Sequence, residues 1–165
     1  MNEVAQLLSP FGNLFVAFNE IGISGSALTE TASLKDFCKK VENRTGVSCR
    51  ETDSFPKRLT DGLCLWSDKN DSSKLTFDLT NSTSFQQEVW RACQQIPAGS
   101  TVSYSELAST VGRPKAVRAV GSALGANPFL ILVPCHRVLR SNGELGGFAG
   151  GLDLKLRLLQ KEGAK

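Results

Sequence analysis

The chain has few residues of several kinds, and each shortage excludes a class of protein. Its 165 residues include one histidine, His136, and five widely spaced cysteines with no Cys-x-x-Cys pair. Neither a zinc site of the usual Cys/His kind nor a disulfide framework is therefore expected. No apolar run approaches the roughly 20 residues that span a bilayer, and the N-terminus lacks the basic start and cleavage site of a signal peptide. These features predict a globular protein with reduced thiols and no metal.

Charge is distributed unevenly along the chain. The formal net charge is +3, yet residues 1–80 hold 9 Lys/Arg against 11 Asp/Glu, whereas residues 81–165 hold 10 against 5. A basic half indicates a polyanionic partner. A solvated basic surface without a partner explains the same charge equally well.

The sequence changes character near residues 80–84, which predicts two domains, 1–80 and 81–165. The first domain is expected to be α/β. Two β-prone runs flank Asn19-Glu20 and predict a hairpin, and the segment 33–46 has helical spacing that ends at Gly46. The alternation of "KLTFDLT" predicts a further strand.

The second domain is expected to be mainly helical. One helix begins at Thr83 or Ser84 and runs to about residue 96. A second, shorter helix opens with the capping pair Ser103 and Glu106, and the turn containing Gly112 joins it to a third, which is typical of a helix-turn-helix. "FLILV" is predicted to be a buried strand or extended run. A last helix, "LDLKLRLLQKEG", is predicted to face inward through Leu152, Leu156 and Leu159.

The third helix has one face of small residues. Its core positions are expected to be Val117, Val120 and Leu124, and its opposite face carries Arg118, Gly121, Ser122 and Gly125. Glycine inside a helix costs about 1 kcal/mol relative to alanine, so it suits a face that another surface approaches closely. A nucleic-acid groove and a neighbouring helix of the same protein fit this face equally well.

The lone histidine lies directly beside Cys135 in "LVPCHRVLR". A thiol is a poor nucleophile until it becomes a thiolate, and an imidazole oriented by a carboxylate is the usual means of activating it. Neighbouring side chains of a strand point to opposite faces, so contact requires a bend, which Pro134 favours, or a bridging water. From these residues alone, a working thiol and a buried cysteine with a polar neighbour both remain open.

"PCHRV", residues 134–138, resembles the active-site motif of the O6-alkylguanine-DNA alkyltransferases, a family of direct-reversal DNA repair proteins. Further motifs stand in the family's order and spacing across the second half: "SFQQEVW", "IPAGSTVSY", "GRPKAVRAVGSAL", "NPFLILVPCHRV" and "GGFAGGL". "SPFGNLFVAF" resembles its opening hairpin, whereas residues 25–80 are not distinctive. The resemblance implies a ribonuclease H-like α/β scaffold domain, with a small antiparallel sheet and a helix. A mainly α, winged-helix-like domain with a helix-turn-helix is implied to follow.

The resemblance also implies a single-turnover methyltransferase chemistry. Cys135 would take the alkyl group from O6 of guanine, with O4-alkylthymine as a second candidate substrate, and would keep it as a thioether. His136 would remove the thiol proton through a water, Glu162 would orient His136, and Tyr104 would protonate N3 of the departing base. The base must leave the duplex to reach a buried thiol.

Double-stranded DNA is the partner that the resemblance implies, bound from the minor groove without sequence preference and with strong salt dependence. The implied base pocket comprises Leu124, Asn127, Val138, Phe148 and Ala149, with Asn127 bracing the turn before the active-site loop. The implied DNA contacts are Ser103, Lys115, Arg118, Gly121, Ser122 and Gly125, with Arg118 filling the gap in the base stack. Arg137 and Arg140 are expected to be structural or to face phosphate.

The protein is expected to be a monomer without a cofactor and to lie in the cytoplasm or, in a eukaryote, in the nucleus. Whether it binds DNA cooperatively stays open.

Several positions depart from the family pattern. Phe148 and Ala149 stand where tyrosine and serine are usual, and Leu130 replaces a proline of some members.

Two other functions compete with repair. A protein that recognises alkylated bases without removing them is the first, although such relatives carry tryptophan in place of Cys135. A cysteine hydrolase is the second, and the lack of a second histidine argues against it. A phosphate-binding glycine loop is disfavoured because no Gly-Lys-Ser/Thr follows.

Overall fold

The computed structural model describes residues 1–148 and 150–165. They form two compact units: a first unit of residues 1–81 and 128–132, and a second unit of residues 82–127 and 133–165. The predicted mixed α/β class is confirmed by two small sheets and six α-helices in the described chain. Residues 128–132 pack with the first unit, whereas the sequence boundary near 80 assigns them to the second.

The first unit is built on a four-stranded sheet of order β3-β2-β1-β4. The strands are β1 (Asn2–Leu7), β2 (Leu14–Phe18), β3 (Ile23–Leu28) and β4 (Cys49–Glu51). The antiparallel pair β2–β3 is the predicted hairpin, and β1 pairs antiparallel with β2. However, β4 pairs parallel with β1. The sheet is therefore mixed, whereas an antiparallel sheet was expected. A parallel partner requires a crossover connection rather than a tight turn, and the chain between β1 and β4 includes a helix.

That helix, α1 (Leu34–Thr45), begins after Ser33, whose Oγ accepts a hydrogen bond from Asp36 N, and ends at Gly46 in the left-handed region. It packs Phe37 and Val41 into the core cluster of the first unit. A Cβ at Gly25 would lie 2.9 Å from Val41, so glycine in β3 allows the helix to approach the sheet closely. The second helix, α2 (Lys57–Lys69), was not predicted from the sequence.

The outer edge of β3 is covered by two segments that form isolated bridges, Ile23 with Phe77 and Ser26 with Phe129. The prediction that "KLTFDLT" is a strand is therefore wrong, because residue 77 alone pairs. "FLILV" is mostly buried but is likewise no regular strand or extended run. Residues 129, 130 and 133 form isolated bridges, residues 131–132 form a turn, and Ile131 has φ +72°. Both segments occupy backbone groups of an edge strand that would otherwise be open to another chain.

The second unit contains four helices and a two-stranded parallel pair. They are α3 (Ser84–Gln94), β5 (Val102–Ser103), α4 (Tyr104–Thr110), α5 (Val117–Gly125), β6 (Val138–Leu139) and α6 (Leu152–Lys161). Thr83 caps α3 in a capping box with Gln86, and Ser103 caps α4, as predicted. Gly112, at φ +76°, lies in the turn between α4 and α5. Pairing of β5 with β6 brings Tyr104 beside the segment that follows Cys135.

The inward face of α6 matches the prediction at Leu159, which is buried, but not at Leu152. Leu152 is 51% exposed, and the buried residues are Leu154, Lys155, Leu158 and Leu159. The pattern misleads because lysine is rarely fully buried, so the face that contains Lys155 is predicted to lie outside. Of the helices in the part of the chain that is described, none is long and apolar enough to cross a membrane.

Candidate active site

Cys135 opens a 3₁₀ turn, Cys135–Arg137, after Pro134. Arg137 N donates to Pro134 O at 3.0 Å, and Cys135 N donates to Val133 O at 2.8 Å. This is the bend that the proline predicted, and it takes the side chains out of strand alternation. Cys135, His136 and Arg137 are all buried, with His136 only 1% exposed.

The thiol of Cys135 is held by a side-chain amide. Asn127 Nδ2 donates to Cys135 Sγ at 3.4 Å and to Val133 O at 3.1 Å. Burial raises the pKa of Cys135, while the Asn127 hydrogen bond and the Lys155 ammonium oppose that rise. Asn127 therefore both braces the turn and favours the thiolate over the thiol.

His136 and Glu162 form a buried pair, with Nε2 and Oε1 3.1 Å apart. Burial raises the pKa of Glu162, but hydrogen bonds from His136 and Arg137 outweigh it and hold the pKa at about 2. An ionised carboxylate only accepts, so we assign the proton of His136 to Nε2 and the lone pair to Nδ1. Nδ1 is buried without a hydrogen bond to any described protein atom. Because burial lowers the pKa of His136, the imidazole is a neutral base near pH 7.

Arg137 is the second residue that binds the Glu162 carboxylate. Its Nε and Nη2 donate to the two oxygens of Glu162 at 3.0 and 2.6 Å, and its Nη1 donates to Ile96 O at 2.7 Å. The guanidinium is therefore structural and does not face phosphate. Arg140, in contrast, is exposed and lines the neighbouring cavity.

Cys135 lies at an open cavity of about 770 Å³. The cavity is lined by Tyr104, Val117, Arg118, Gly121, Leu124, Gly125, Cys135, Arg140, Ser141, Gly147 and Phe148. Tyr104 Oη donates to Gly147 O at 3.4 Å, and burial raises the pKa of Tyr104. A Cβ at Gly146, which has φ +71°, would lie 2.9 Å from the Tyr104 ring. The glycine-rich loop, "SNGELGGFAGG" at residues 141–151, therefore contacts Tyr104 directly through Gly146.

The predicted site residues that the structure describes separate into three groups. Seven line the cavity: Tyr104, Arg118, Gly121, Leu124, Gly125, Cys135 and Phe148. His136, Glu162, Asn127 and Val138 lie outside this lining, with Val138 O accepting from a lysine. Lys115 and Ser122 are exposed, and Ser103 Oγ is engaged as the cap of α4. Ala149 lies outside the described residues.

The glycines of α5 resolve one alternative left open by the sequence. A Cβ added at Gly121 or Gly125 would meet nothing among the described residues within 4 Å. Close packing of this face against another helix is therefore not the reason for these glycines. The face is open, and it forms part of the cavity wall.

Sequence reasoning missed Lys155, which is fully buried and donates to main-chain carbonyls around the cavity. No local signal distinguishes it from a surface lysine of an amphipathic helix. Among the described residues, no group of three or more His, Cys, Asp or Glu side chains is arranged to hold a metal ion.

Comparison with known proteins agrees with this geometry. The family model described as "6-O-methylguanine DNA methyltransferase, DNA binding domain" matches residues 84–164. The methylated-DNA–protein-cysteine methyltransferase of Salmonella typhimurium is 55% identical over 84 residues, which are 51% of this chain and 49% of that protein. The matches span 23% to 60% of the length of these curated relatives, and about half in most of them.

Solved structures match over nearly the whole chain. The crystal structure of Mycobacterium tuberculosis O6-methylguanine methyltransferase is 31% identical with a TM-score of 0.74, covering 99% of this chain and 94% of that one. The Mycobacterium tuberculosis OGT structure in complex with DNA is 33% identical with a TM-score of 0.73, covering 98% and 93%. On this agreement in sequence and fold, the chain belongs to the O6-alkylguanine-DNA alkyltransferases, the methylated-DNA–protein-cysteine methyltransferase family.

Proposed function

We propose that this protein repairs DNA by direct reversal, moving a methyl or larger alkyl group from O6 of guanine to Cys135. The observation that carries the proposal is a buried thiol facing an open cavity, with a neutral imidazole beside it in sequence and a carboxylate fixing that imidazole. The thioether formed is not reversible, so each molecule acts once. O4-alkylthymine is a second candidate substrate.

The chemistry follows from the proton positions. The Cys135 proton passes through a water to Nδ1 of His136, whose Nε2–H stays on Glu162. The thiolate then attacks the alkyl carbon, so that the S–C bond forms as the C–O6 bond breaks. The guanine anion is protonated at N3 by Tyr104, whose phenol is positioned at the cavity by its hydrogen bond to the loop.

We infer that α5 enters the minor groove of double-stranded DNA. Its exposed Arg118 fills the gap left by a flipped nucleotide. The open glycine positions 121 and 125 suit a groove only about 6 Å wide. Ser122 and Lys115 are exposed for contact with the backbone, while Ser103 contributes by capping α4. Contacts of this kind read no sequence and weaken with salt.

The flipped base would occupy the cavity against Tyr104, Leu124 and Phe148. In this proposal Asn127 and Val138 shape the pocket from behind rather than lining it. Asn127 holds the thiol, and the carbonyl of Val138 is fixed by a buried lysine. Ala149 would offer a main-chain group from the glycine-rich loop.

At the domain level we propose that residues 1–80 form a ribonuclease H-like scaffold. Three successive antiparallel strands with flanking helices support that comparison. Residues 81–165 would form a winged-helix-like reaction domain, supported by the helices α3 to α5 together with the β5–β6 pair. The protein would act as a monomer and need no cofactor.

The test is stoichiometric transfer. The protein is incubated with duplex DNA carrying one O6-methylguanine, and the Cys135 peptide is examined by mass spectrometry for one added methyl group per molecule. Cys135→Ser should bind the DNA and take up none. Absence of transfer at excess protein would contradict the proposal, and tight binding without transfer would favour a recognition protein instead. Repeated turnover on an ester or peptide would favour a hydrolase.

A further inference from the structure

Lys155 has no role in the chemistry described above, yet it is fully buried beside it. Its Nζ donates to Val138 O at 2.7 Å, to Gly147 O at 3.2 Å and to Leu145 O. It also lies 5.8 Å from the centroid of the Tyr104 ring. The three N–H groups of one ammonium thus connect α6 to β6 and to two points of the glycine-rich loop.

The acceptors of Lys155 are all main-chain carbonyls, and no described carboxylate forms an ion pair with it. Elsewhere in the site the charges cancel. Arg137 is paired with Glu162, and His136 is neutral. Lys155 is therefore the buried positive charge that lacks a counter-charge while Cys135 remains a thiol. In a low-dielectric interior this imbalance is costly, and forming the Cys135 thiolate removes it.

We propose that Lys155 is a positioning residue for the transfer, which holds the loop over the cavity and serves as the counter-charge of the Cys135 thiolate. Its part in the transfer rests on the proposed function, whereas its effect on the thiol does not. The titratable groups that face Lys155 are Cys135 and His136 from the 3₁₀ turn, Cys93 from α3 and Tyr104 from α4. Of these, Cys135 has an amide donor, Asn127, that also favours the ionised form.

The electrostatics agree in direction with this geometry. Burial lowers the pKa of Lys155 to about 8, with Cys135 and Cys93 opposing the fall. A lysine with that pKa is still mostly protonated at pH 7. Cys93 differs from Cys135 in its surroundings. It is a buried residue of α3, and burial raises its pKa well above the usual range.

The experiment titrates the thiol without DNA. Alkylation of Cys135 by iodoacetamide is followed against pH by peptide-resolved mass spectrometry in the full chain. The variants are Lys155→Met, which removes charge and donors, Lys155→Gln, which keeps donors without charge, and Lys155→Arg, which keeps charge. Lys161→Met removes an exposed charge from the same helix and is the matched control. Circular dichroism establishes that each variant is folded.

We expect the midpoint of the pH profile to rise by about one unit or more in both neutral variants, which is roughly tenfold slower alkylation at pH 7. Lys155→Arg should restore most of the rate, and Lys161→Met should match the wild type. If Lys155→Gln lowered the alkylation rate without moving the midpoint of the pH profile, the proposal would be wrong. Lys155 would then only hold the loop in place. Because no DNA is present, this outcome does not depend on methyl transfer. If the wild type transferred no methyl group, the proposed function would be wrong but the proposed effect of Lys155 on the thiol would stand.

Discussion

The two units bury polar side chains of different kinds. In the first unit the buried polar residues are Asn2, Ser24, Ser26, Ser72 and Asp78. In the second unit they are Asn127, His136, Arg137 and Lys155, which surround the Glu162 carboxylate and one thiol. A buried ion costs several kcal/mol unless it is paired. Among these residues the first unit holds one ion, Asp78, which accepts hydrogen bonds from Asn19 and Thr80, whereas the second unit holds the cations of Arg137 and Lys155 beside the Glu162 carboxylate. In the described residues, the buried charge is thus concentrated in the second unit, around His136 and Cys135.

The cysteines repeat this contrast. In the first unit burial raises the pKa of Cys49 to about 12, and the nearby Cys38 and Glu42 contribute to that rise. In the second unit burial also raises the pKa of Cys135, but Asn127 and Lys155 act against it. The two environments therefore differ: around Cys49 the neighbouring groups add to the rise in pKa, whereas around Cys135 Asn127 and Lys155 lessen it.

The largest effect should come from Glu162→Gln. It leaves Arg137 as an uncompensated buried charge, so the free energy of unfolding should fall by about 3–5 kcal/mol. Methyl transfer should fall with it, because His136 loses the group that fixes its tautomer. Urea unfolding and single-turnover transfer measure the two losses. The counterpart Asp78→Asn weakens the hydrogen bonds to Asn19 and Thr80 and should cost about 1–3 kcal/mol.

Asp78→Asn should leave alkylation of Cys135 unchanged. An equal loss of reactivity in both variants would show that the buried carboxylates of the two units do not differ in their effect on the thiol.

Acid unfolding tests the contribution of Glu162 to stability. The pKa of Glu162 is about 2 in the fold against 4.5 for the free side chain, so its stabilisation is complete above pH 4.5 and is lost as pH falls towards 2. Glu162→Gln should lack that part of the acid transition.

A smaller effect is expected from Gly146→Ala. The residue has φ +71°, and its new Cβ would lie 2.9 Å from Tyr104. Strain and overpacking of about 1–3 kcal/mol should displace the loop and slow single-turnover transfer about tenfold. The control is Gly147→Ala, where a Cβ meets nothing described within 4 Å. Equal rates for the two variants would show that the Tyr104 contact is unimportant.

The smallest effects should come from two helix caps that make the same hydrogen bond in different units. Ser33 accepts from Asp36 N at 3.1 Å, and Ser103 accepts from Glu106 N at 3.0 Å. Either change to alanine should cost about 0.5–2 kcal/mol in thermal or urea unfolding. We expect Ser103→Ala alone to slow transfer as well, because Tyr104 is the next residue. A similar slowing in Ser33→Ala would remove the distinction.

The local elements could be predicted because their signals are short-range. The caps at Thr83 and Ser103, the glycine turn before α5 and the hairpin about Asn19 each depend on residues a few positions apart. The partners of β1 and β3 other than β2 could not be predicted in the same way. Strand β4 reaches β1, and Phe129 reaches Ser26 of β3, from distant parts of the chain, and nothing local marks either pairing.

By itself, the sequence determined the thiol, the imidazole beside it and the proline that bends the chain before the turn. It named Glu162 through family resemblance alone. The tertiary structure decided that Glu162 meets Nε2 of His136, that Arg137 faces inward and that Lys155 is buried beneath the loop. The physical reason is that a charged residue on an amphipathic helix carries no local mark of its burial. Its environment is set by which face of α6 packs, and that depends on residues distant in the chain.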